Sequence, residues 1–139
     1  MNGKNDYEKE LFVYNYLANR NKYSSNYSFE NQSAYTGFNP DLDTVCSGYA
    51  KAAQIIFQNI GLDSELVLGT YGNQFHIWKR VKIKGDYYSF DSCITGFYSN
   101  SDTINYRGFN FNEKDSIYTV YYENLLSPTT GTKYLNKEI

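Results

Sequence analysis

The stretch Asp43-Thr-Val-Cys46-Ser-Gly-Tyr-Ala-Lys-Ala-Ala-Gln-Ile-Ile-Phe-Gln-Asn-Ile-Gly61 predicts a helix with a cysteine on its first turn. A side-chain oxygen of Asp43 or Thr44 suits the helix start, and Gly61 suits a left-handed stop. Between them Val45, Tyr49, Ala52, Ala53, Ile56 and Ile60 recur at steps of three and four, an apolar stripe that faces a core. A thiol at a helix N-terminus lies at the positive end of the helix dipole, which favours thiolate over thiol. The commoner role of one cysteine in an apolar helix is that of a small buried hydrophobe. The helix alone therefore decides a packing face and leaves the chemistry open.

Upstream, residues 6–20 predict a second amphipathic helix, with Leu11, Tyr14 or Asn15, and Leu17 or Ala18 at the helical step. Acidic residues load its first turn, where the dipole favours them. Residues 21–42 are polar, rich in Asn, Ser and Tyr, and carry Gly37 and Pro40, a long loop. A connection of that length is uncommon in a compact domain unless it serves a site, so it is expected to wall one side of a cleft. Within it, Gln32 or Tyr35 is a candidate oxyanion donor.

Downstream of Gly61 the period changes from helical to alternating. Glu65–Thr70 alternates around Leu66 and Leu68, Tyr71-Gly72-Asn73 makes a turn, and Phe75–Ile83 is a second strand. Lys84-Gly85-Asp86 is a tight turn and Tyr87–Asp91 a third strand. Residues 94–112 read as loop, and Ser116–Tyr122 as a β-branched and aromatic fourth strand. Lys79, Arg80, Lys82 and Lys84 predict a solvated basic strand end.

The chain of 139 residues suffices for a single core, and no linker divides it, so residues 1–139 are expected to form one domain, either whole or part of a longer protein. A net charge of −2 without a basic excess excludes the electrostatic footprint of nucleic-acid binding. No apolar run approaches a membrane span, and the first residues do not read as a signal peptide, although a trimmed domain of an exported protein would begin the same way. The 16 Tyr suit a groove that needs apolar area with polar tips, and they equally fit a bias toward A/T-rich codons. Two cysteines, Cys46 and Cys93, make no disulfide framework. No cofactor motif is present.

The chain's one histidine, His76, falls in the second strand. Alternation places His76, Trp78, Arg80 and Lys82 on one face and Phe75, Ile77, Val81 and Ile83 on the other. If Lys84 and Gly85 are the two turn residues, Asp91 pairs with Trp78 and becomes a same-face diagonal neighbour of His76. A turn one residue longer would send Asp91 to the wrong face. In the two-residue register Cys46, His76 and Asp91 can form a nucleophile, a general base and an orienting carboxylate, an arrangement that the spacing allows and does not require. The backbone N–H of Cys46 is then a natural oxyanion donor. A zinc site from Cys46, His76, Asp91 and Cys93 is the competing use of the same residues, without paired ligand spacing. A non-catalytic substrate- or glycan-binding module is another.

Val45-Cys46-Ser47-Gly48-Tyr49-Ala50, then His76-Ile77-Trp78, then Gly85-Asp86-Tyr87-Tyr88-Ser89-Phe90-Asp91 resemble, in order, the C-x-G-Y-A, H-A-W-N and G-x-W-Y-x-x-D blocks of the microbial transglutaminase-like family. The similarity spans roughly residues 7–122. It implies an α+β, papain-like fold in which N-terminal helices, including the cysteine helix, pack on an antiparallel sheet carrying His and Asp. It also implies thiol-based acyl chemistry on amide bonds of a protein or peptide substrate, with Cys46, His76 and Asp91 as the triad and no cofactor. An extracytoplasmic or cell-surface setting is implied in the same way. Four positions depart from the family's pattern. Lys79 replaces Asn after the His-x-Trp, Tyr87 replaces Trp, and Ser92-Cys93 follow the Asp where Thr and Trp are common. Cys93 is either a small core residue or a partner able to regulate Cys46 by oxidation.

Overall fold

The computed structural model describes residues 4–20, 22–23, 43–44, 46–92, 106–113 and 117–135. Helix α1 spans Asp6–Arg20, strands β1 (Lys22–Tyr23) and β2 (Asp43–Thr44) pair in parallel, and helix α2 spans Cys46–Ile60. Strands β3 (Ser64–Tyr71), β4 (Gln74–Ile83), β5 (Asp86–Phe90), β6 (Phe109–Phe111) and β7 (Tyr118–Val120) form one antiparallel sheet in the order β6-β5-β4-β3-β7. Helices come first and the sheet follows, the α+β order that the change of period implies.

Local chemistry sets the helix ends. The Asn5 side chain accepts from the Glu8 N–H at 2.9 Å, and Glu8 accepts in return from the Asn5 N–H at 3.2 Å, a reciprocal cap for α1. At the end of α2, Gly61 turns left-handed (φ 81°) and the Leu62 N–H reaches back to the Phe57 carbonyl at 2.9 Å. Helix α2 buries Cys46, Tyr49, Ala50, Ala52, Ala53 and Phe57, while Ile56 and Ile60 are only half-buried. The buried face thus reaches Phe57, beyond the predicted stripe, because α2 packs against both α1 and the sheet. Val45 lies outside the described residues.

The hairpin β4–β5 turns on two residues with positive φ, Lys84 (53°) and Gly85 (94°), the backbone of a tight turn whose twist matches the strands. Ile83 pairs with Asp86 and Lys79 with Phe90, which is the register anticipated for a Lys84-Gly85 turn. Asp91 follows the last pair and stands beside Trp78.

The sheet curls until its two edges meet. Phe111 on β6 and Tyr118 on β7 belong to opposite edge strands, yet their rings stack with centroids 4.4 Å apart. The inner face of the curl holds Val67, Trp78 and Phe111, with Tyr118, Val120 and Leu126 packed on them. The helices cover the outer face through Val81, Ile83, Tyr88, Phe90 and Phe109. Gly69 permits the closure, since a Cβ there would lie 1.9 Å from the Thr119 carbonyl and 2.7 Å from the Trp78 ring.

This curl corrects the reading of the basic strand end. Lys79 and Arg80 are each 1 % exposed; only Lys82 and Lys84 face solvent. The curl closes over Arg80 from inside and α2 covers Lys79 from outside, so neither face of the strand's centre meets water. In β3 the buried residues are Val67 and Gly69, while Leu66 and Leu68 are each 40 % exposed. Strand β6 lies within residues read as loop. It is only three residues long and includes Asn110 at φ 50°, so it offers no alternation to read. Beyond residues 43–44 and 22–23, the long connection before α2 is outside the described residues, as are Gln32, Tyr35 and Cys93.

Candidate active site

Cys46 opens α2, carries a free thiol and is 1 % exposed. His76 stands near the start of β4 on the inner face, also 1 % exposed, and Asp91 follows β5 on the same face. The Asp91 backbone N–H donates to the Gly108 carbonyl at 2.7 Å, which anchors the carboxylate's main chain beyond the strand end. His76 Nε2 and Asp91 Oδ2 are 2.6 Å apart, and the imidazole shares a further hydrogen bond with Cys46. The three residues meet in the order Cys46, His76, Asp91.

Electrostatics favour a charged imidazole. Burial by itself pulls the His76 pKa down, but the charge of Asp91, its hydrogen bond and the contact with Cys46 prevail and raise it from 6.5 to about 10. His76 is therefore an imidazolium at neutral pH. Trp78 stacks beside it with centroids 5.8 Å apart and planes 22° apart, and its indole N–H donates to Glu113 Oε2 at 3.0 Å. The tryptophan thus both packs and shields the imidazole.

Sequence reasoning missed a further group. The Tyr118 hydroxyl donates to Asp91 Oδ2 at 2.6 Å, the same oxygen that His76 engages. It read only as one aromatic in a strand, because nothing local connects β7 to β5. Glu113 and Glu123 went unread as well. Glu113 accepts from Trp78, Ser89 and Arg80, and Arg80 Nη2 also bonds Glu123 at 2.9 Å.

On the outer face, Lys79 lies among Tyr49, Ala50, Ala53 and Phe90 between α2 and the sheet. Its Nζ is buried and has no hydrogen-bond partner among the described residues. Burial lowers its pKa from 10.5 to about 7, against a smaller opposing pull from Glu65. Ser92 is buried beside Asp91, and Tyr87 is half-buried on β5. Among the described residues no group of three or more His, Cys, Asp or Glu side chains is arranged to hold a metal ion, and no helix is long and apolar enough to cross a membrane.

Residues 1–92 match the transglutaminase-like superfamily. Among solved structures, the chain is similar to a TGase, with a TM-score of 0.59 and 19% identity over 81% of this chain and 31% of that one. It is also similar to a candidate cysteine protease from Cytophaga hutchinsonii, with a TM-score of 0.56 and 21% identity over 66% of this chain and 32% of that one. The chain thus spans about a third of the length of each of these solved chains. At these identities the likeness is one of fold, an α+β papain-like core. A comparison with curated proteins found no match.

Proposed function

The chain belongs to the transglutaminase-like superfamily, and from that premise we propose that it is a thiol-dependent enzyme acting on amide bonds of protein or peptide substrates. The observation that carries the reading is the single imidazole held between the Cys46 thiol and the Asp91 carboxylate. Cys46 sulfur attacks the amide carbonyl while its proton resides on His76. The backbone N–H groups at the start of α2 face the developing oxyanion. Collapse of the tetrahedral intermediate breaks the C–N bond, and His76 gives its proton to the departing ammonia or amine. A thioester on Cys46 remains. Attack by a second amine completes acyl transfer, and attack by water completes hydrolysis, with His76 taking the attacking group's proton in either case. Asp91 keeps the ring oriented and stabilises the imidazolium.

The test is iodoacetamide alkylation, which requires no knowledge of the substrate. The native protein should be labelled at Cys46 far faster than free cysteine at pH 7, and Cys46→Ala should lose that labelling. A Cys46 that reacts no faster than free cysteine would sink the acyl-transfer reading and leave a binding module of the same fold. Because His76 must be protonated to release the leaving group, turnover of any amide substrate should decline as pH rises through about 10.

A further inference from the structure

We infer that Tyr118 is a positioning residue of this site, holding the Asp91 carboxylate in the plane that engages His76. The inference rests on the thiol-enzyme reading and adds to it a group from outside the superfamily match, which ends at residue 92. The Asp91 oxygen Oδ2 accepts two short hydrogen bonds, from His76 Nε2 at 2.6 Å and from the Tyr118 hydroxyl at 2.6 Å. Two donors converging on one oxygen from different strands restrict rotation of the carboxylate about its χ2.

The tyrosine is itself held in place. Its ring stacks on Phe111 at 4.4 Å, meets Trp78 edge-on at 4.8 Å and contacts Tyr71 edge-on at 5.0 Å. Strand β7, which carries it, is paired to β3 through Tyr71 and Tyr118. On either side of β7 in sequence, Glu113 and Glu123 are both bound by the buried Arg80. A phenylalanine at position 118 would fill the same space and keep the ring contacts. The hydroxyl is therefore not needed for packing, and its contact is with the carboxylate that orients the imidazole.

Among the described residues Asp91, Cys46, Trp78, Tyr71 and Tyr118 face His76. Asp91 is the carboxylate that engages the imidazole, so the loss of a donor on its Oδ2 should register on His76. Since the chain has one histidine, NMR titration of the imidazole reports on His76 without assignment ambiguity. In Tyr118→Phe the carboxylate loses this donor, and the His76 pKa should fall from about 10 by about one pH unit. The circular dichroism should stay native. Asp91→Asn sets the full size of the effect, and Tyr118→Leu, which removes ring and hydroxyl together, should shift His76 at least as far as Tyr118→Phe. An unchanged His76 pKa in a folded Tyr118→Phe protein would overturn the inference. So would an upward shift, which would mean that the phenol competes with His76 for the carboxylate. Slow alkylation of the native protein together with the expected shift would defeat the acyl-transfer reading and leave the positioning role of Tyr118 standing.

Discussion

Strand β4 has two faces that bury cations in opposite ways. On the inner face His76 and Arg80 are enclosed by the curled sheet, and each is met by carboxylates: Asp91 for His76, Glu113 and Glu123 for Arg80. On the outer face Lys79 is enclosed by α2, and its Nζ meets no hydrogen-bond partner among the described residues. Burial opposes charge at all three, and partners decide the outcome. The pKa of His76 rises to about 10 and that of Arg80 is also raised, while that of Lys79 falls to about 7. Desolvation alone does not fix protonation; it sets a cost that a nearby carboxylate offsets or fails to offset.

The largest break in this comparison should come from Arg80→Met. The guanidinium reaches Glu113 through Nε at 3.2 Å and Nη2 at 2.6 Å, and the Ser127 carbonyl through Nη1 at 2.9 Å. Its removal leaves Glu113 buried without its cation, and urea unfolding at pH 7 should show a loss of about 3–5 kcal/mol. A near-neutral result would mean that the inner-face network contributes nothing to holding β7 and its neighbours in place.

Lys79→Met should have the opposite sign. Replacing a buried, unpaired amine by an apolar chain of similar length should stabilise the protein by roughly 1–4 kcal/mol at pH 6. The pH dependence identifies the cause. The folded-state pKa of Lys79 lies below its ordinary value, so its penalty is full below about pH 7 and relieved as pH rises toward 10.5. The advantage of the methionine should shrink across that window, and an advantage independent of pH would rule out buried charge as its origin. His76 works the other way. Its folded-state pKa is raised, so its contribution to stability is full below about pH 6.5 and is lost as pH climbs through about 10. The two slopes oppose each other between pH 7 and 10 in the native protein. In Lys79→Met the His76 decline should stand alone, visible as falling stability with rising pH.

The smallest effect should be that of Lys82→Gln. Lys82 shares the inner-face parity of His76 and Arg80 but lies where the strand emerges into solvent. An exposed charge without a buried partner should change stability by no more than about 0.5 kcal/mol in urea unfolding. A larger loss would indicate that the curl extends its influence to the strand end.

The β4–β5 hairpin was legible from the turn residues after Ile83, but its register was conditional on a two-residue Lys84-Gly85 turn; given that turn, period-two alternation assigns every side chain to a face. Both helices were legible for a similar reason, since caps and apolar spacing act within a few residues. The burial of Lys79 and Arg80 was not. An alternating pattern says which residues share a face and says nothing about how many faces are covered. Tyr118, Glu113 and Glu123 were invisible as site residues because their hydrogen-bond partners lie 24 to 43 positions away in the chain.

The candidate trio Cys46, His76 and Asp91 came from the ordered blocks of a family resemblance, whereas the cysteine helix with which the sequence begins to make sense and the hairpin were local inferences. Each follows from side-chain period, turn geometry and short-range capping, which the chain encodes over a few residues. The curl of the sheet is a different kind of fact. It arises when two strands that follow one another in sequence but lie at opposite ends of the sheet order meet through Phe111 and Tyr118, and it alone brings a second donor to Asp91 and carboxylates to Arg80. It encloses the inner face of β4 while leaving the covering of Lys79 to α2. Protonation follows from that enclosure, because a buried charge depends on which groups surround it in space.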